Sequence, residues 1–184
     1  MVQESIILYN DPELIKQMPR PFKRTNLRTG ILKELACIEG IRGLIFRGAL
    51  DRAHNYQKAV RARPDFRIYD GDESYFLRHP SLSGLVSLGA NLAPKAWQRI
   101  TASSLNLNGN HKDYPDHLRQ IWELGAYLQD LKDLYHGISL PLVKQILSDM
   151  GIIDSGRCRI QSEDLGDKAE QVKRLMQRFG DYSR

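Results

Sequence analysis

With 184 residues, 41% of them hydrophobic and 27% charged, the chain has the composition of a soluble protein and the length for one compact core, with or without a helical appendage. Its net charge of +5 is interleaved with acids, as at Lys132-Asp133 and Asp167-Lys168, and the densest basic stretches, Arg20 to Arg28 and Arg61 to Arg67, hold no aromatic ladder, which argues against a nucleic-acid surface. No apolar run approaches the roughly 20 residues that span a bilayer, and the N-terminal MVQESIILYN has no basic stretch ahead of an apolar core, so neither a membrane span nor a signal peptide is expected.

In chain order, Ser5 to Tyr9 (SIILY) predicts a strand, followed by a polar, proline-containing stretch from Asp11 to Asn26. Thr29 to Ile38 predicts a helix and Ile41 to Phe46 a second strand. Asp51 to Arg63 follows as a helix, with Ala53, Tyr56, Ala59 and Val60 on one apolar side. Phe66 to Tyr69 predicts the third strand, closed by a turn at Asp70-Gly71-Asp72, and Gly84 to Gly89 predicts the fourth. Pro94 suits the first position of a helix over Lys95 to Leu105, where no backbone donor is needed.

Strands and helices alternating at this spacing predict right-handed βαβ units and a parallel sheet. Because the strands are apolar throughout, both faces of that sheet are expected to be covered. After an Asn- and Gly-rich linker, Asn106 to Asp113, the pattern is helical only. Leu118, Ile121, Leu124, Leu128, Leu131 and Tyr135 define one long amphipathic helix ended by Gly137. Leu140 to Met150, ended by Gly151, and Glu163 to Phe179 define two more. The expected division is 1–108, an α/β portion, and 109–184, a helical region packed on it. Two cysteines, Cys37 and Cys158, lie far apart without metal-type spacing, which predicts free thiols in a reducing cytoplasm.

Four motifs in order carry a family resemblance: Tyr9-Asn10 followed by Pro12, GIRGLIFRG at Gly40 to Gly48, DGDE at Asp70 to Glu73, and SGLVSLGANLAP at Ser83 to Pro94. Together with the helical tail they resemble the dihydrodipicolinate synthase and N-acetylneuraminate lyase family of (β/α)8 TIM barrels. The resemblance covers the second half of such a barrel, strands five to eight, and the C-terminal three-helix region. A complete barrel takes about 250 residues, so the first half-barrel is expected to be absent. In that family a lysine closing strand six attacks a 2-keto acid such as pyruvate, and the Schiff base serves as electron sink for aldol cleavage or condensation. The resemblance aligns Tyr9 with the family's proton-relay tyrosine and Ile45 with the Schiff-base lysine. Val86 aligns with a residue whose backbone carbonyl faces the bound keto acid. Arg28-Thr29-Gly30 has the letters of the family's carboxylate-binding Arg-Thr-Gly, at a greater separation from Tyr9, which marks Arg28 as a substrate-binding candidate.

A sec-butyl side chain cannot become a Schiff-base nucleophile. Lys58 and Lys95 lie in helices away from the strand ends where barrel chemistry is assembled, and Arg47 keeps its proton. Tyr9 also suits a purely structural role at a half-buried strand end. The five histidines show no metal-type pairing, and Asp70-Gly71-Asp72 reads as a turn rather than a cation loop, so no metal or other cofactor is expected. Two readings follow. In one, the chain is a catalytically impaired relative that associates with itself or with a full-length paralogue. In the other, it is a lyase subunit completed by a partner chain.

Overall fold

A computed structural model describes residues 5–19, 24–80, 83–105, 114–137, 139–159 and 165–180. The chain forms two compact units, Met1–Val86 and Ser87–Arg184. The boundary expected at 108/109, and the linker Asn106 to Asp113 around it, lie outside the described residues.

The first unit is built on a parallel sheet of three strands, β1 (Ile6–Asn10), β2 (Ile41–Phe46) and β3 (Arg67–Asp70), in the order β1-β2-β3. Between them lie α1 (Pro12–Lys16), α2 (Thr29–Ala36) and α3 (Leu50–Val60), and α4 (Glu73–Arg78) follows β3. Side chains alternate across a strand, so the register sorts them into two faces. Leu8, Leu44 and Ile68 are paired in one row and Asn10, Phe46 and Asp70 in the next of the same face. That face packs on Leu32 and Ala36 of α2 and on Ala53, Tyr56 and Val60 of α3, which recur at helical spacing. The α2 carboxyl end is held by Arg63, whose Nη1 donates to Ala36 O at 2.7 Å while Nε and Nη2 grip Asp65 at 3.0 and 2.9 Å.

Two expectations need correction here. The opposite face is covered only in part among the described residues: Ile41 and Gly43 are buried, whereas Ile7 is 49% exposed and Tyr9 52%. Continuous apolar strands signalled two buried faces, but the fully covered one is the face carrying α2 and α3. The expected fourth strand, Gly84 to Gly89, is also not a strand. It joins β3 through a single parallel bridge, Asp70 to Leu85, with Ser83 N, Asp70 N and Val86 N donating to Ile68 O, Gly84 O and Asp70 O. Past Val86 the backbone leaves the ladder, because Ser87 Oγ accepts from Ala90 N–H at 2.9 Å and opens a 3₁₀ turn, Gly89–Asn91. What was expected to be four strands is therefore three and one bridge.

The second unit holds that 3₁₀ turn and α5 (Pro94–Leu105), α6 (Tyr114–Tyr135), α7 (Ser139–Asp149) and α8 (Gly166–Phe179). Trp97, Ile100, Leu128, Leu131, Val143, Ile146, Val172 and Met176 form its interior, and Tyr127 stacks on Phe179 at 4.1 Å. Buried Lys173 of α8 is neutralised by Asp149 at 2.6 Å and Glu170 at 3.0 Å, tying the end of α7 to α8. Gly137 and Gly151 end their helices with φ of +86° and +71°, left-handed conformations that glycine adopts without strain. No helix among the described residues is long and apolar enough to cross a membrane.

Candidate functional site

The carboxyl ends of the three strands bring together Tyr9, Asp11, Arg47, Asp70 and Asp72. Asp11 follows β1 directly and caps α1, its Oδ1 accepting from Glu13 N at 3.0 Å and Leu14 N at 3.3 Å. Its other oxygen accepts from the Tyr9 hydroxyl at 3.1 Å and from Arg47 Nη1 at 2.9 Å. Arg47, the first residue after β2, reaches Asp72 Oδ2 with Nη2 at 3.4 Å. Asp72 caps α4 through Tyr75 N at 2.9 Å. One guanidinium thus links the ends of all three strands.

Backbone geometry makes room for this arrangement. Arg47 N donates to Asn10 O at 3.0 Å and Gly71 N to Phe46 O at 2.9 Å, so the strands stay paired at their exits. A Cβ at Gly71 would stand 2.7 Å from Arg47 Cγ and 3.1 Å from Ile45 Cγ2, so only glycine lets the chain pass so close.

Electrostatics separate the carboxylates. Burial pushes Asp11 up, but the Leu14 and Glu13 donors and the Arg47 charge outweigh it and hold its carboxyl below the ordinary value. Burial raises the Tyr9 phenol, and the Asp11 charge adds to the rise, so Tyr9 stays protonated and donates. Asp70 is the odd one. It is buried, its carboxylate accepts the Asp72 N–H at 3.0 Å and no other hydrogen bond among the described residues, and burial lifts it to about 6 from an ordinary 3.8. The Asp72 charge adds to that lift, while Arg47 and the Asp72 N–H oppose it.

A raised carboxylate is a stability cost at high pH. The folded chain takes up this proton near pH 6 and the unfolded chain near 3.8, so stability from this group increases as pH falls between them. Asp70→Asn keeps an acceptor for Asp72 N–H and removes the charge. It is expected to stabilise the protein at pH 8 by on the order of 2 kcal/mol, a gain that disappears towards pH 4. Urea unfolding at both pH values checks this; a variant less stable than the native chain at pH 8 would refute it.

Of the residues singled out in the sequence, the structure brings two together. Tyr9 and Ile45 are register partners across β1 and β2, on the exposed face of the sheet, with Tyr69 next in the row. Val86 is 49% exposed and donates its N–H to Asp70 O at 2.8 Å. Arg28 is exposed at the N-cap of α2 and lines a groove that includes none of Tyr9, Ile45 and Val86. The helix caps at Asp11 and Asp72 and the bridging by Arg47 were not expected from the sequence, which placed Asp72 only in a turn. Asp11 had a signal, since Asp-Pro-Glu is a helix-start pattern. No group of three or more His, Cys, Asp or Glu among the described residues is placed to hold a metal ion.

No protein-family model matches the chain, and no curated protein matches it. Solved structures do. The fold resembles part of dihydrodipicolinate synthase. The enzyme of that name from Thermotoga maritima superposes with a TM-score of 0.68 at 19% identity, over 98% of this chain and 58% of its own. The one from Aquifex aeolicus gives 0.68 at 19% identity, over 96% and 55%. N-acetylneuraminate lyase from Fusobacterium nucleatum gives 0.65 at 19% identity, over 95% and 55%. The resemblance carried by the sequence motifs is thus present in three dimensions, and the chain spans a little over half the length of the structures it matches.

Proposed function

We propose that this chain is a relative of the dihydrodipicolinate synthase and N-acetylneuraminate lyase enzymes that has lost their Schiff-base reaction, aldol cleavage or condensation of a pyruvate-type 2-keto acid. The observation that carries this reading is the pairing of Tyr9 with Ile45. A tyrosine hydroxyl suited to proton relay stands one strand away from an aliphatic side chain, at the position the resemblance assigns to the nucleophilic lysine. No strand of the sheet contains a lysine that could replace it. In this reading the Tyr9–Asp11–Arg47 arrangement is inherited architecture, with Val86 at a position that once faced substrate; Arg28 lines a separate groove and is not part of it.

The exposed apolar side chains Ile6, Ile7 and Val86, at 54%, 49% and 49%, favour a protein that works in association, with copies of itself or with a full-length paralogue. An active subunit completed by a partner chain is the second reading, and the same exposed face supports it. The two free cysteines, Cys37 exposed and Cys158 half-buried, fit a cytoplasmic setting. Incubation with pyruvate and borohydride, read by intact mass, tests the loss of reaction. The expected result is an unmodified chain.

A further inference from the structure

The segment entering α2 and the first turn of α3 enclose a groove of about 670 Å3 within the first unit, lined by Arg24, Asn26, Arg28, Thr29, Glu34 and Arg52 among others. Three arginines and one glutamate are among its lining residues. None of the three arginines makes an ion pair among the described residues; Arg52 lies over the Tyr56 ring at 6.0 Å. The first turn of α2 opens on the same groove, with no side-chain cap at Arg28 and no acid to offset its positive end. In α1 and α4 the aspartates Asp11 and Asp72 do that work. Gly30 leaves open space where a Cβ would stand. Asn26 also lines the groove, and its Oδ1 is buried without a hydrogen-bond partner among the described residues.

We propose that this groove binds a small molecule through its phosphate group, with Arg24, Arg28 and Arg52 as counter-charges and the leading N–H groups of α2 as donors. Glu34 leaves two positive charges in excess, which suits a phosphate dianion better than a single carboxylate. The volume lies in the range of small-ligand pockets. This site is separate from the Tyr9–Ile45 row, so it stands whether or not the chain forms a Schiff base.

The test is isothermal titration of the full chain with inorganic phosphate, glucose 6-phosphate and glucose, beside two double variants. Arg24→Gln with Arg28→Gln alters the groove. Arg61→Gln with Arg67→Gln removes equal charge from exposed positions outside its lining. Saturable binding of both phosphate probes and not of glucose is expected, weakened about tenfold or more in the groove variant and little changed in the control. Tighter binding of glucose 6-phosphate than of phosphate identifies an ester as the ligand; equal binding identifies the free anion. Absence of saturable phosphate binding, or equal weakening in both variants, would overturn the proposal.

Discussion

Tyr56→Ala is expected to lower the stability of the first unit by about 4 kcal/mol, the range for emptying a buried aromatic site. Tyr56 is fully buried, meets Phe46 edge to face at 5.0 Å, and places its hydroxyl 2.7 Å from Leu27 O and 3.2 Å from Asn10 Oδ1. Asn10 Oδ1 in turn accepts from Leu27 N at 2.9 Å, and its Nδ2 donates to Thr25 O at 3.2 Å. One side chain of α3 therefore fastens the segment before α2 to the end of β1. Tyr56→Phe keeps the packing and strands the Leu27 carbonyl, for an expected loss of about 1 to 2 kcal/mol. Both tryptophans, Trp97 and Trp122, lie in the second unit, so far-UV circular dichroism during urea unfolding is the suitable probe. A Tyr56→Ala loss below that of Tyr56→Phe would break this account of the core.

The second large effect is expected at Asp11. Asp11→Ala removes the cap of α1, the acceptor of Tyr9 and one of two anions held by Arg47, together about 2 kcal/mol or more. Asp11→Asn keeps an oxygen for the cap but turns an amide NH2 towards Arg47 Nη1 and the Tyr9 hydroxyl, so it loses the ion pair and their acceptor and should be spared only the cost of the cap. The pH signature is opposite to that of Asp70. Because the folded pKa of Asp11 lies below 3.8, its contribution is present above that pH and is lost as pH falls through the folded value. Unfolding curves of Asp11→Ala and the native chain should therefore converge in strong acid. A difference that stays constant from pH 7 to pH 2 would show that the ion pair with Arg47 adds nothing.

How far the sequence was legible depends on the kind of signal each element carries. β1, β2, β3, α2 and α3 were visible because their apolar residues either run together or recur at helical spacing, and tertiary packing uses those same residues. α1 and α4 were not, because five and six residues are too short for periodicity and their identity rests on the caps Asp11 and Asp72. The Gly84 to Gly89 segment misled because its apolar content is strand-like while Ser87 and Gly89 bend the backbone out of the ladder. Gly89 is held against the Tyr135 hydroxyl and the Trp97 indole, a close approach that only glycine permits and that no local pattern announces. The juxtaposition of Tyr9 and Ile45 was readable only through family resemblance, since nothing local says which residues of two strands become register partners. Arg47 shows the reverse limit: its role is to bridge Asp11 and Asp72, which are 36 and 25 residues away from it in sequence.

The most direct test of the central claim is the mass of this chain after borohydride reduction in the presence of pyruvate. With Ile45 beside Tyr9 and no lysine in the sheet, the account predicts that the mass does not change. A covalent pyruvate adduct, mapped by peptide analysis to any lysine of the chain, would contradict it.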